Sequence, residues 1–337
     1  MNLADPAPIL DLVEAFRRSK TLFCAVKLGI FDLLQPAPLP AREIAKQIGT
    51  DASATERLLF ACVSLQLLEE EGGRFRNTPA AEGYLCRGSA TSMAGYILYS
   101  NDVLFQMWDH LEDAVREGTH RWNQSFGFSG PLFDSFFPTD EAMRTFIMGM
   151  HGFGTLSSPA VAQAFDLSQF QTVADLGGAT GHLTVALCER YPRLRGLVFD
   201  FPRVLRVAEE QIAKSAARDR IQCVPGDFFR DPLPAADVYV MGRILHDWNE
   251  AKVNELVQKA YNALPAGGAL LLAEKLLDDD HHGPVSGQMQ SLNMLICTEG
   301  RERSLAEYST LLRNAGFLHV DAIRTGKPVD AILARKA

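Results

Sequence analysis

The residues best suited to proton transfer are one histidine and two glutamates, each at or after the end of an apolar run. His246 lies in Gly-Arg-Ile-Leu-His-Asp-Trp, just after the run 238–241. Glu274 closes Ala-Leu-Leu-Leu-Ala-Glu, and Glu302 lies in Thr-Glu-Gly-Arg-Glu-Arg before a helix predicted at about 304–315. A neutral imidazole accepts a proton best when a carboxylate holds its other nitrogen. The spacing does not show which glutamate would do so, and Glu302 also suits the first turn of that helix.

A ligand site is indicated by residues 172–181, Thr-Val-Ala-Asp-Leu-Gly-Gly-Ala-Thr-Gly. An apolar strand ends near Asp175, and Gly177 and Gly178 allow a tight turn into an amphipathic helix. Such a turn binds a dinucleotide or S-adenosylmethionine, and Asp200, which ends the next apolar run, suits the ribose of either ligand. An acid at the strand end would repel a pyrophosphate but attract the sulfonium and ammonium groups of S-adenosylmethionine. The charges therefore favour the methyl donor.

A base near such a donor points to methylation of a weakly acidic hydroxyl group. A phenol has a pKa near 10, so its proton has to be removed as its oxygen attacks the methyl carbon. An imidazole with an ordinary pKa near 6.5 is neutral at pH 7 and can accept that proton. A lone histidine is more often structural, but His246 follows a strand that neighbours the glycine turn. We therefore expect His246 to be the general base.

A third candidate contact is Gly226-Asp227-Phe228, which follows the run 221–224. An acid and backbone groups at a strand end can bind the edge of an adenine, while a phenylalanine ring packs on its face. The same residues suit a plain strand-to-loop turn equally well, so this motif alone is ambiguous.

Helix-like and strand-like segments alternate after the glycine turn, which predicts a parallel sheet with helices on both faces. The later strands are predicted at 197–200, 221–224, 238–241, 269–273, 319–323 and 329–334. Ligands of such sheets bind at the carboxyl ends of the strands. The glycine turn, Gly226 and His246 all follow strand ends, so we expect them to share one site.

The N-terminal residues predict a dimerisation domain. Residues 9–34 are apolar at helical spacing, interrupted at Gly29, and too few polar residues remain for a solvent face, so we expect a second subunit to cover them. Residues 40–78 resemble a winged helix, with a second helix at Ala52–Leu68 and a Gly-Gly hairpin tip. Residues 1–95 hold 10 Lys and Arg against 11 Asp and Glu. That balance lacks the positive face that DNA binding needs.

The stretch 96–160 is rich in aromatic residues and methionine. Such a stretch is more often plain core than a binding site. Its place just before the glycine turn nevertheless predicts helices that line an acceptor pocket. We divide the chain into a winged-helix-like dimerisation domain at 1–95, a helical connector at 96–160 and a donor-binding catalytic domain at 161–337.

Composition excludes several other classes of protein. The chain has 337 residues, 47% of them hydrophobic, and a net charge of −8, which favours a cationic small ligand over nucleic acid. No apolar run reaches the roughly 20 residues that cross a bilayer, and the N-terminus lacks an export signal. We therefore expect a cytoplasmic protein with no membrane or nucleic-acid partner. The six scattered cysteines predict neither disulfides nor a metal site.

Motifs over nearly the whole chain resemble the O-methyltransferases of the caffeate and hydroxyindole type, and most of all the hydroxyindole members. They are Lys27-Leu-Gly-Ile-Phe-Asp-Leu-Leu, Asp113-Ala-Val-Arg-Glu-Gly, Ala164-Phe-Asp-Leu-Ser, Asp175-Leu-Gly-Gly, Gly226-Asp-Phe-Phe-Arg-Asp-Pro-Leu-Pro, Arg243-Ile-Leu-His-Asp-Trp, Ser291-Leu-Asn-Met-Leu, Thr298-Glu-Gly and Asp330-Ala-Ile-Leu-Ala-Arg-Lys. The resemblance implies a Rossmann-like class I methyltransferase sheet preceded by an α-helical winged-helix dimerisation domain. It also implies a homodimeric, S-adenosylmethionine-dependent enzyme that methylates a hydroxyl of a phenol or hydroxyindole.

The resemblance assigns roles to residues of this chain. The catalytic histidine falls on His246 and its supporting acids on Glu274 and Glu302. Donor contacts fall on Gly177, Asp200, Gly226, Asp227, Phe228 and Arg243, and the predicted donor site also includes Asp175, Gly178, Phe201 and Phe137. Acceptor contacts fall on Asp247, Asn293 and Met294.

Two positions depart from the family pattern. Ala179 replaces a third glycine, so its methyl group narrows the approach of a ligand to the backbone. Phe137 replaces a tyrosine of the hydroxyindole enzyme, so a hydroxyl contact near the donor is missing. Three other functions stay open: methylation of a thiol or amine, a catalytically silent ligand-binding homologue, and a ligand-sensing transcription regulator.

Overall fold

The computed structural model describes residues 5–337, which form two compact units. The N-terminal unit ends at Val103, and the C-terminal unit is Leu104–Ala337. The helices of the N-terminal unit are α1 (Ala7–Lys27), α2 (Ile30–Leu34), α3 (Ala41–Ile48), α4 (Ala52–Ser64), α5 (Pro79–Tyr84) and α6 (Ala94–Tyr99), and its strands are β1 (Leu39–Pro40), β2 (Leu68–Glu71) and β3 (Arg74–Asn77). A π-helical turn, Ser100–Leu104, follows α6.

Local sequence explains the breaks between the N-terminal helices. Gly29 and Gly49 have φ angles of 72° and 70°, a left-handed conformation that favours glycine, and they separate α1 from α2 and end α3. The Asp51 side chain caps α4 by accepting a hydrogen bond from the Ala54 N–H. Strands β1, β3 and β2 then form an antiparallel sheet. This helical unit with its hairpin confirms the predicted N-terminal fold.

One predicted boundary in this unit was wrong. Helix α4 was expected to continue to Leu68, but it ends at Ser64. Gln66 has a φ of 59°, and the Leu67 N–H turns back to the Cys62 carbonyl, so the helix closes with a left-handed residue. Leu68 is instead the buried first residue of β2.

An apolar face of α1 is left uncovered within this unit. Ile9, Leu12, Val13 and Phe16 are each more than half exposed, and they repeat at the three- and four-residue spacing of one helix face. The other end of the helix is buried through Ala25 and Val26. Single exposed apolar residues are common, but a continuous exposed stripe is typical of an interaction surface.

The C-terminal unit is an α/β domain. Its helices are α7 (Phe105–Trp108), α8 (Leu111–Glu117), α9 (Trp122–Phe126), α10 (Leu132–Phe136), α11 (Asp140–Thr155), α12 (Ser158–Ala164), α13 (His182–Arg190), α14 (Pro202–Ile212), α15 (Glu250–Ala263), α16 (Val285–Cys297) and α17 (Leu305–Asn314). Its strands are β4 (Thr172–Leu176), β5 (Arg195–Asp200), β6 (Ile221–Pro225), β7 (Val238–Gly242), β8 (Ala269–Glu274), β9 (Leu276–Leu277), β10 (Arg303–Ser304), β11 (His319–Ile323) and β12 (Asp330–Arg335).

Seven strands form the main sheet in the order β11-β12-β8-β7-β4-β5-β6. The predicted strands are all present, but the sheet is not wholly parallel as expected: β12 runs antiparallel to both β8 and β11. The reason is the connection between β11 and β12, because residues 324–329 are too few for a crossover that would return the chain to the same direction. Short strands β9 and β10 pair separately.

The strands around β4 form the centre of the core. Val173 of β4, Val198 of β5, Val240 of β7 and Leu271 of β8 are fully buried in one apolar cluster. Successive residues of β7 and β8 are also buried, so both faces of these strands are covered, as expected where helices lie on both sides of a parallel sheet. Within the described residues 5–337, no helix is long and apolar enough to cross a membrane.

Candidate active site

The carboxyl ends of four neighbouring strands carry predicted site residues at one edge of the sheet. Asp175 is the next-to-last residue of β4, and Asp200 and Glu274 end β5 and β8. His246 follows β7 in a one-turn 3-10 helix, Leu245–Asp247. Because β5, β4, β7 and β8 are adjacent and parallel, their carboxyl ends open on the same edge.

His246 is buried among three carboxyl groups. Its side chain is nearly inaccessible, and its Nδ1 lies 2.7 Å from Glu302 Oε1. Glu274 Oε2 is 3.9 Å from the same nitrogen, and Asp247 Oδ1 is 3.6 Å from Nε2. Both glutamates considered in the sequence analysis therefore lie beside the imidazole, but only Glu302 is within hydrogen-bond distance. Glu302 precedes α17 and its N-cap Ser304, so it is not in that helix.

Glu274 holds the turn that carries His246. Its Oε1 accepts hydrogen bonds from the N–H groups of Ile244, at 3.1 Å, and Leu245, at 2.9 Å. Its Oε2 and the Oε2 of Glu302 are buried and accept no hydrogen bond from the residues that the structure describes. Each glutamate therefore has one oxygen that acts on its surroundings through its charge and not through a hydrogen bond.

The carboxylates determine the protonation of His246. Burial alone would lower the pKa of the imidazole, but the charges of Glu302, Glu274 and Asp247 outweigh burial and raise the pKa to about 9. Burial raises the pKa of Glu274 to about 7 and that of Asp247 to about 6. An imidazole with an ordinary pKa, as expected from the sequence, would be neutral at pH 7. In the ligand-free protein these acids favour its protonated form instead.

The same three side chains could bind a metal ion. The ligand atoms of His246, Glu274 and Glu302 all lie within 4.8 Å of one another, and this is the one such group found among residues 5–337. The Glu302 hydrogen bond to Nδ1 and the two backbone hydrogen bonds to Glu274 already explain why the groups converge. These contacts account for the group without a metal ion, and the expectation from the sequence that no metal binds stays a prediction.

The glycine turn needs its glycines for conformation and for space. Gly177 has a φ of 72°, and a Cβ atom there would lie 2.5 Å from Ile244 Cδ1 and 3.2 Å from Phe228 Cε1. A Cβ atom at Gly178 would lie 3.0 Å from Asp175 Cγ. The turn is therefore packed tightly against the segments that follow β6 and β7.

Asp175 lies beneath this turn. It is 3% exposed, and its Oδ2 accepts a hydrogen bond from the Thr184 hydroxyl at 2.9 Å. Burial raises its pKa to about 7, and the nearby charge of Asp200 adds to the shift. One of its oxygens thus bonds to the helix that follows the turn.

Asp200 binds the turn from the next strand. Its Oδ2 accepts the Ala179 N–H at 2.9 Å and its Oδ1 accepts the Phe201 N–H at 2.7 Å. Burial raises its pKa to about 6, although both hydrogen bonds oppose that shift. Ala179 has a φ of 49°, so the position where the sequence departs from a third glycine has a left-handed backbone that strains alanine.

The Gly226-Asp227-Phe228 motif also lies at this edge. The Gly226 N–H donates to the Asp200 carbonyl at 3.0 Å, and a Cβ atom at Gly226 would overlap the Phe199 ring. Asp227 Oδ1 accepts the Phe229 N–H at 2.8 Å, as in the plain turn that the sequence allowed. Phe228 faces Gly177, as the close distance above shows. The motif is thus both a turn and a neighbour of the glycine turn.

Arg243 and Phe137 contact different parts of the unit. Arg243 has a φ of 57°, a rare conformation that residues near active sites sometimes retain, and its guanidinium carbon is 4.5 Å from the centre of the Phe153 ring. Phe137 is buried at the end of α10, where its carbonyl accepts a hydrogen bond from Arg203 of α14 at 3.0 Å. Phe201, two residues before Arg203, is the N-cap residue of α14.

The predicted acceptor residues lie on α16 and in the His246 turn. Asn293 Oδ1 accepts a hydrogen bond from Trp108 Nε1 at 3.0 Å, which fixes the orientation of the amide. Met294 is buried, and its carbonyl accepts the Thr298 hydroxyl at 2.8 Å. The buried thiol of Cys297, one turn further along α16, is within electrostatic range of Asp247.

Several residues of the turn's surroundings were missed by the sequence analysis. His151 Nδ1 lies 2.8 Å from the hydroxyl of Thr180, and His182 Nδ1 lies 2.8 Å from that of Ser158. Thr180 lies within the motif 172–181 and His182 directly follows it, but nothing in the sequence showed that helices α11 and α12 would reach them.

Comparison with known proteins identifies the family. The family model of the O-methyltransferase domain matches residues 108–318 of the sequence. The family model of the O-methyltransferase dimerisation domain matches residues 10–87. The chain belongs to the O-methyltransferase family. This membership confirms the predicted family, the fold class and the O-methyltransferase activity.

Characterised O-methyltransferases are similar over nearly their full length. The acetylserotonin O-methyltransferase of Bos taurus is 42% identical over 97% of this chain and 96% of its own. The 3-hydroxy-5-methyl-1-naphthoate 3-O-methyltransferase of Streptomyces sahachiroi is 35% identical over 96% of this chain and 92% of its own. Both relatives are named as O-methyltransferases, one of acetylserotonin and the other of 3-hydroxy-5-methyl-1-naphthoate.

Two solved structures have the same fold. Human N-acetylserotonin methyltransferase in complex with SAM matches with a TM-score of 0.94 and 38% identity over 100% of this chain and 99% of its own. PigF with SAH matches with a TM-score of 0.89 and 25% identity, over 99% of this chain and 100% of its own. The prediction of S-adenosylmethionine as the cofactor is confirmed at the level of this family.

Proposed function

We propose that this chain transfers the methyl group of S-adenosylmethionine to a hydroxyl of a small aromatic acceptor, a phenol or a hydroxyindole. The observation that carries this proposal is the buried pair of His246 Nδ1 and Glu302 Oε1, 2.7 Å apart, at the strand edge where the glycine turn also lies. A histidine held by a carboxylate is suited to accept a proton from a weak acid. Methyl transfer to a phenol needs such a base, whereas transfer to a thiolate needs much less.

The hydrogen bond to Glu302 determines which nitrogen acts as the base. An ionised carboxylate only accepts hydrogen bonds, so Nδ1 carries a proton and Nε2 provides the lone pair. Nε2 takes the hydroxyl proton while the acceptor oxygen bonds to the methyl carbon and the carbon–sulfur bond breaks. The resulting imidazolium is stabilised by Glu302 and Glu274. Positioning and proton removal together account for the rate.

His246 has to be neutral before it can act. The neighbouring acids raise its pKa to about 9 in the ligand-free protein. The imidazole loses its proton more easily once a cation is bound close by, because like charges repel. Binding of a sulfonium compound would therefore prepare the base, and this couples donor binding to catalysis.

The residues around the glycine turn fit the donor. S-adenosylmethionine supplies an electrophilic methyl group on a cationic sulfur. Gly177 is required at this turn, because a Cβ atom there would lie 2.5 Å from Ile244 Cδ1, and its absence keeps the backbone N–H and carbonyl groups of the turn uncovered by a side chain. Asp200 offers a carboxylate beside that backbone, and Gly226 and Phe228 border it from the next strand. We assign donor binding to these residues together with Arg243.

The acceptor side is assigned to Asp247, Asn293 and Met294. Asp247 lies 3.6 Å from His246 Nε2, so a group that it binds is next to the base. The side-chain oxygen of Asn293 accepts from Trp108, and its Nδ2 donates one N–H to Cys297 Sγ at 3.6 Å, so the second N–H of Nδ2 is the group offered to a ligand. A flat aromatic acceptor with polar substituents suits this combination. The sequence similarity to acetylserotonin and naphthoate O-methyltransferases supports the same class.

A panel of acceptors tests the proposal. The purified full chain is incubated with S-adenosylmethionine and, separately, with phenols, hydroxyindoles, aromatic thiols and arylamines, and the products are identified by mass spectrometry. We expect methyl ethers from phenols or hydroxyindoles, at rates that increase with pH. Methylation of thiols or amines alone would contradict the acceptor class. Tight binding of S-adenosylhomocysteine without any transfer would indicate a silent homologue.

The chain is further proposed to act as a homodimer through its N-terminal unit. The dimerisation-domain match covers 10–87, and the exposed apolar stripe of α1 lies at its start. Leu12, at 75% exposure, is the most exposed member. Light scattering should give the mass of two chains for the wild type and a smaller mass for Leu12→Glu. A Glu255→Gln variant, altered on the exposed face of α15, is the matched control.

A further inference from the structure

Two hydroxyl–imidazole hydrogen bonds fasten helices α11 and α12 to the glycine turn. The first joins His151 Nδ1 of α11 to Thr180 Oγ1 at 2.8 Å. The second joins His182 Nδ1, at the start of α13, to Ser158 Oγ of α12, also at 2.8 Å. The centres of the two rings are 6.3 Å apart. None of these four residues has been given a part in the reaction above.

Thr180 depends on His151 for a partner. The threonine is fully buried, and it lies between Ala179 and Gly181, whose φ angles of 49° and 74° are both left-handed. A buried hydroxyl without a hydrogen bond is costly, so the bond to His151 favours this one conformation of the turn. His151 of α11 thereby holds the turn next to Ala179, its non-glycine residue with a left-handed backbone.

The second pair fixes the neighbouring part of α11. The Ser158 hydroxyl donates to the Gly154 carbonyl at 2.8 Å, and since it has a single hydrogen, its oxygen accepts the Nδ1–H of His182. A Cβ atom at Gly154 would overlap the His182 ring. Gly154 is therefore the contact at which α11 packs directly on the start of α13.

The same short segment of α11 also contacts Arg243. Met150 Sδ is 3.6 Å from Arg243 Nη1, and the Phe153 ring centre is 4.5 Å from the Arg243 guanidinium carbon. His151 lies between these two residues in the chain. A shift of α11 would thus move Arg243 and the glycine turn together, although they follow different strands.

We propose that His151 is a positioning residue for the methyl donor, which acts by holding Thr180. The bond fixes the position of the glycine turn relative to Arg243 before the donor binds. Donor binding then does not pay the conformational entropy of ordering these two segments. This inference rests on the proposed function, because it concerns the affinity of the protein for S-adenosylmethionine. It predicts that loss of the hydroxyl of Thr180 weakens donor binding while the chemical step at His246 continues.

Matched substitutions of Thr180 test the inference. Thr180→Val keeps the shape of the side chain and removes the hydroxyl, whereas Thr180→Ser keeps the hydroxyl. Thr55→Val is the control for general destabilisation, because Thr55 is a buried threonine of the N-terminal unit whose hydroxyl bonds to Thr50 and Asp51. For each full-length protein, titration calorimetry gives the Kd of S-adenosylhomocysteine, and initial rates give the KM for S-adenosylmethionine and kcat at saturation.

The expected result is a split between binding and turnover. Thr180→Val should raise the Kd and the donor KM about tenfold, about the effect of one buried hydrogen bond, with kcat within about twofold of wild type. Thr180→Ser and Thr55→Val should bind as the wild type does. His151→Leu should weaken binding as Thr180→Val does, and the double variant His151→Leu/Thr180→Val should be no worse than either single one.

Three outcomes would overturn the inference. Wild-type affinity in Thr180→Val would show that the bond does not position the turn. A loss of kcat with unchanged Kd would place the effect in the chemical step. Equal weakening in Thr55→Val would show a general loss of stability. Failure of the proposed function looks different, since the wild type itself would then neither bind S-adenosylhomocysteine nor transfer a methyl group.

Discussion

Two acids lie at the glycine turn and two beside His246, and their oxygens are used differently. Asp175, Glu274 and Glu302 are buried, and Asp200 is partly buried. Asp200 accepts backbone N–H groups with both oxygens, and Asp175 accepts the Thr184 hydroxyl. Glu274 and Glu302 each keep one buried oxygen without a hydrogen bond from the described residues. Asp200 therefore uses both oxygens to hold the backbone of its turn. Glu274 uses one oxygen for the backbone of the His246 turn, and the second oxygen of each glutamate provides charge beside the imidazole.

This difference follows from what each region has to do. A turn that binds a ligand through its backbone needs a fixed conformation, and hydrogen bonds provide that. A base that becomes positive during the reaction needs negative charge close by, and unpaired carboxylate oxygens in a buried site provide it at low reorganisation cost. Buried acids can thus have structural or electrostatic roles within one sheet edge, and only their partners distinguish the two.

The largest expected effect is the loss of the base itself. His246→Ala should reduce kcat about 100-fold or more, because general-base catalysis contributes about that much. The affinity for S-adenosylhomocysteine, measured by calorimetry, should change little, since the glycine turn is not altered. His319→Ala, at an exposed position of β11, is the matched control. Turnover at the wild-type rate in His246→Ala would show that the imidazole is not the base, and the acids beside it would then have no catalytic role to contrast with the acids at the glycine turn.

Removing one charge beside His246 should have the next largest effect. Glu302→Gln keeps the shape but not the charge, so we expect kcat/KM to fall about 10- to 100-fold at pH 8. In the wild type, the base form of the imidazole increases as the pH rises towards about 9, so kcat/KM should increase over that range. In Glu302→Gln the pKa of His246 falls, and this increase should occur at lower pH.

Glu274→Gln sharpens the assignment of the two glutamates. Its Oε2 is 3.9 Å from Nδ1 instead of 2.7 Å, so the pH profile should move less than in Glu302→Gln. If Glu274→Gln shifts the profile more, then Glu274 is the main electrostatic partner of His246.

The acids at the turn should affect stability more than chemistry. Burial raises the pKa of Asp175 to about 7 from an ordinary 3.8. Between these values the folded state keeps a proton that the unfolded state loses, so stability falls as the pH rises from about 4 to 7. Asp175→Asn removes this loss, and we expect it to be about 1–2 kcal/mol more stable than wild type at pH 8, with the gap closing towards pH 4.

Asp200→Asn provides the contrast, with thermal unfolding as the measurement for both variants. An asparagine has one side-chain oxygen, so it cannot accept the Ala179 and Phe201 N–H groups with separate oxygens as Asp200 does. We expect Asp200→Asn to lower the Tm at pH 8, while Asp175→Asn raises it. The same sign for both variants would show that the two acids do not differ as described.

The smallest expected effect is at Ala179. Its φ of 49° suits glycine, so Ala179→Gly should relieve strain and, after the greater entropy of the unfolded chain is included, stabilise the protein by up to about 1 kcal/mol. Differential scanning calorimetry should then show a Tm increase of a few degrees. Ala263→Gly, in the last turn of α15, should lower the Tm instead. A lower Tm for Ala179→Gly would mean that its methyl group contributes to packing.

Much of the fold could be predicted from the sequence because its signals are local. Apolar runs marked every strand of the main sheet, and Gly29 marked the end of the first helix. The reversed direction of β12 was missed because direction depends on the length of a connection and on neighbours far along the chain. The early end of α4 was missed because the turn at Gln66 has no glycine to mark it.

The sequence by itself determined that His246, Glu274 and the glycine turn lie at or after the ends of strands and that Glu302 precedes a helix, since residue order and strand order are local properties. Only the tertiary structure decided that Glu302, 56 residues from His246, holds its Nδ1, while Glu274 holds the turn. Only it placed His151 on Thr180, 29 residues away. Hydrogen bonds depend on ångström distances between distant segments, and packing of the whole sheet and its helices sets those distances.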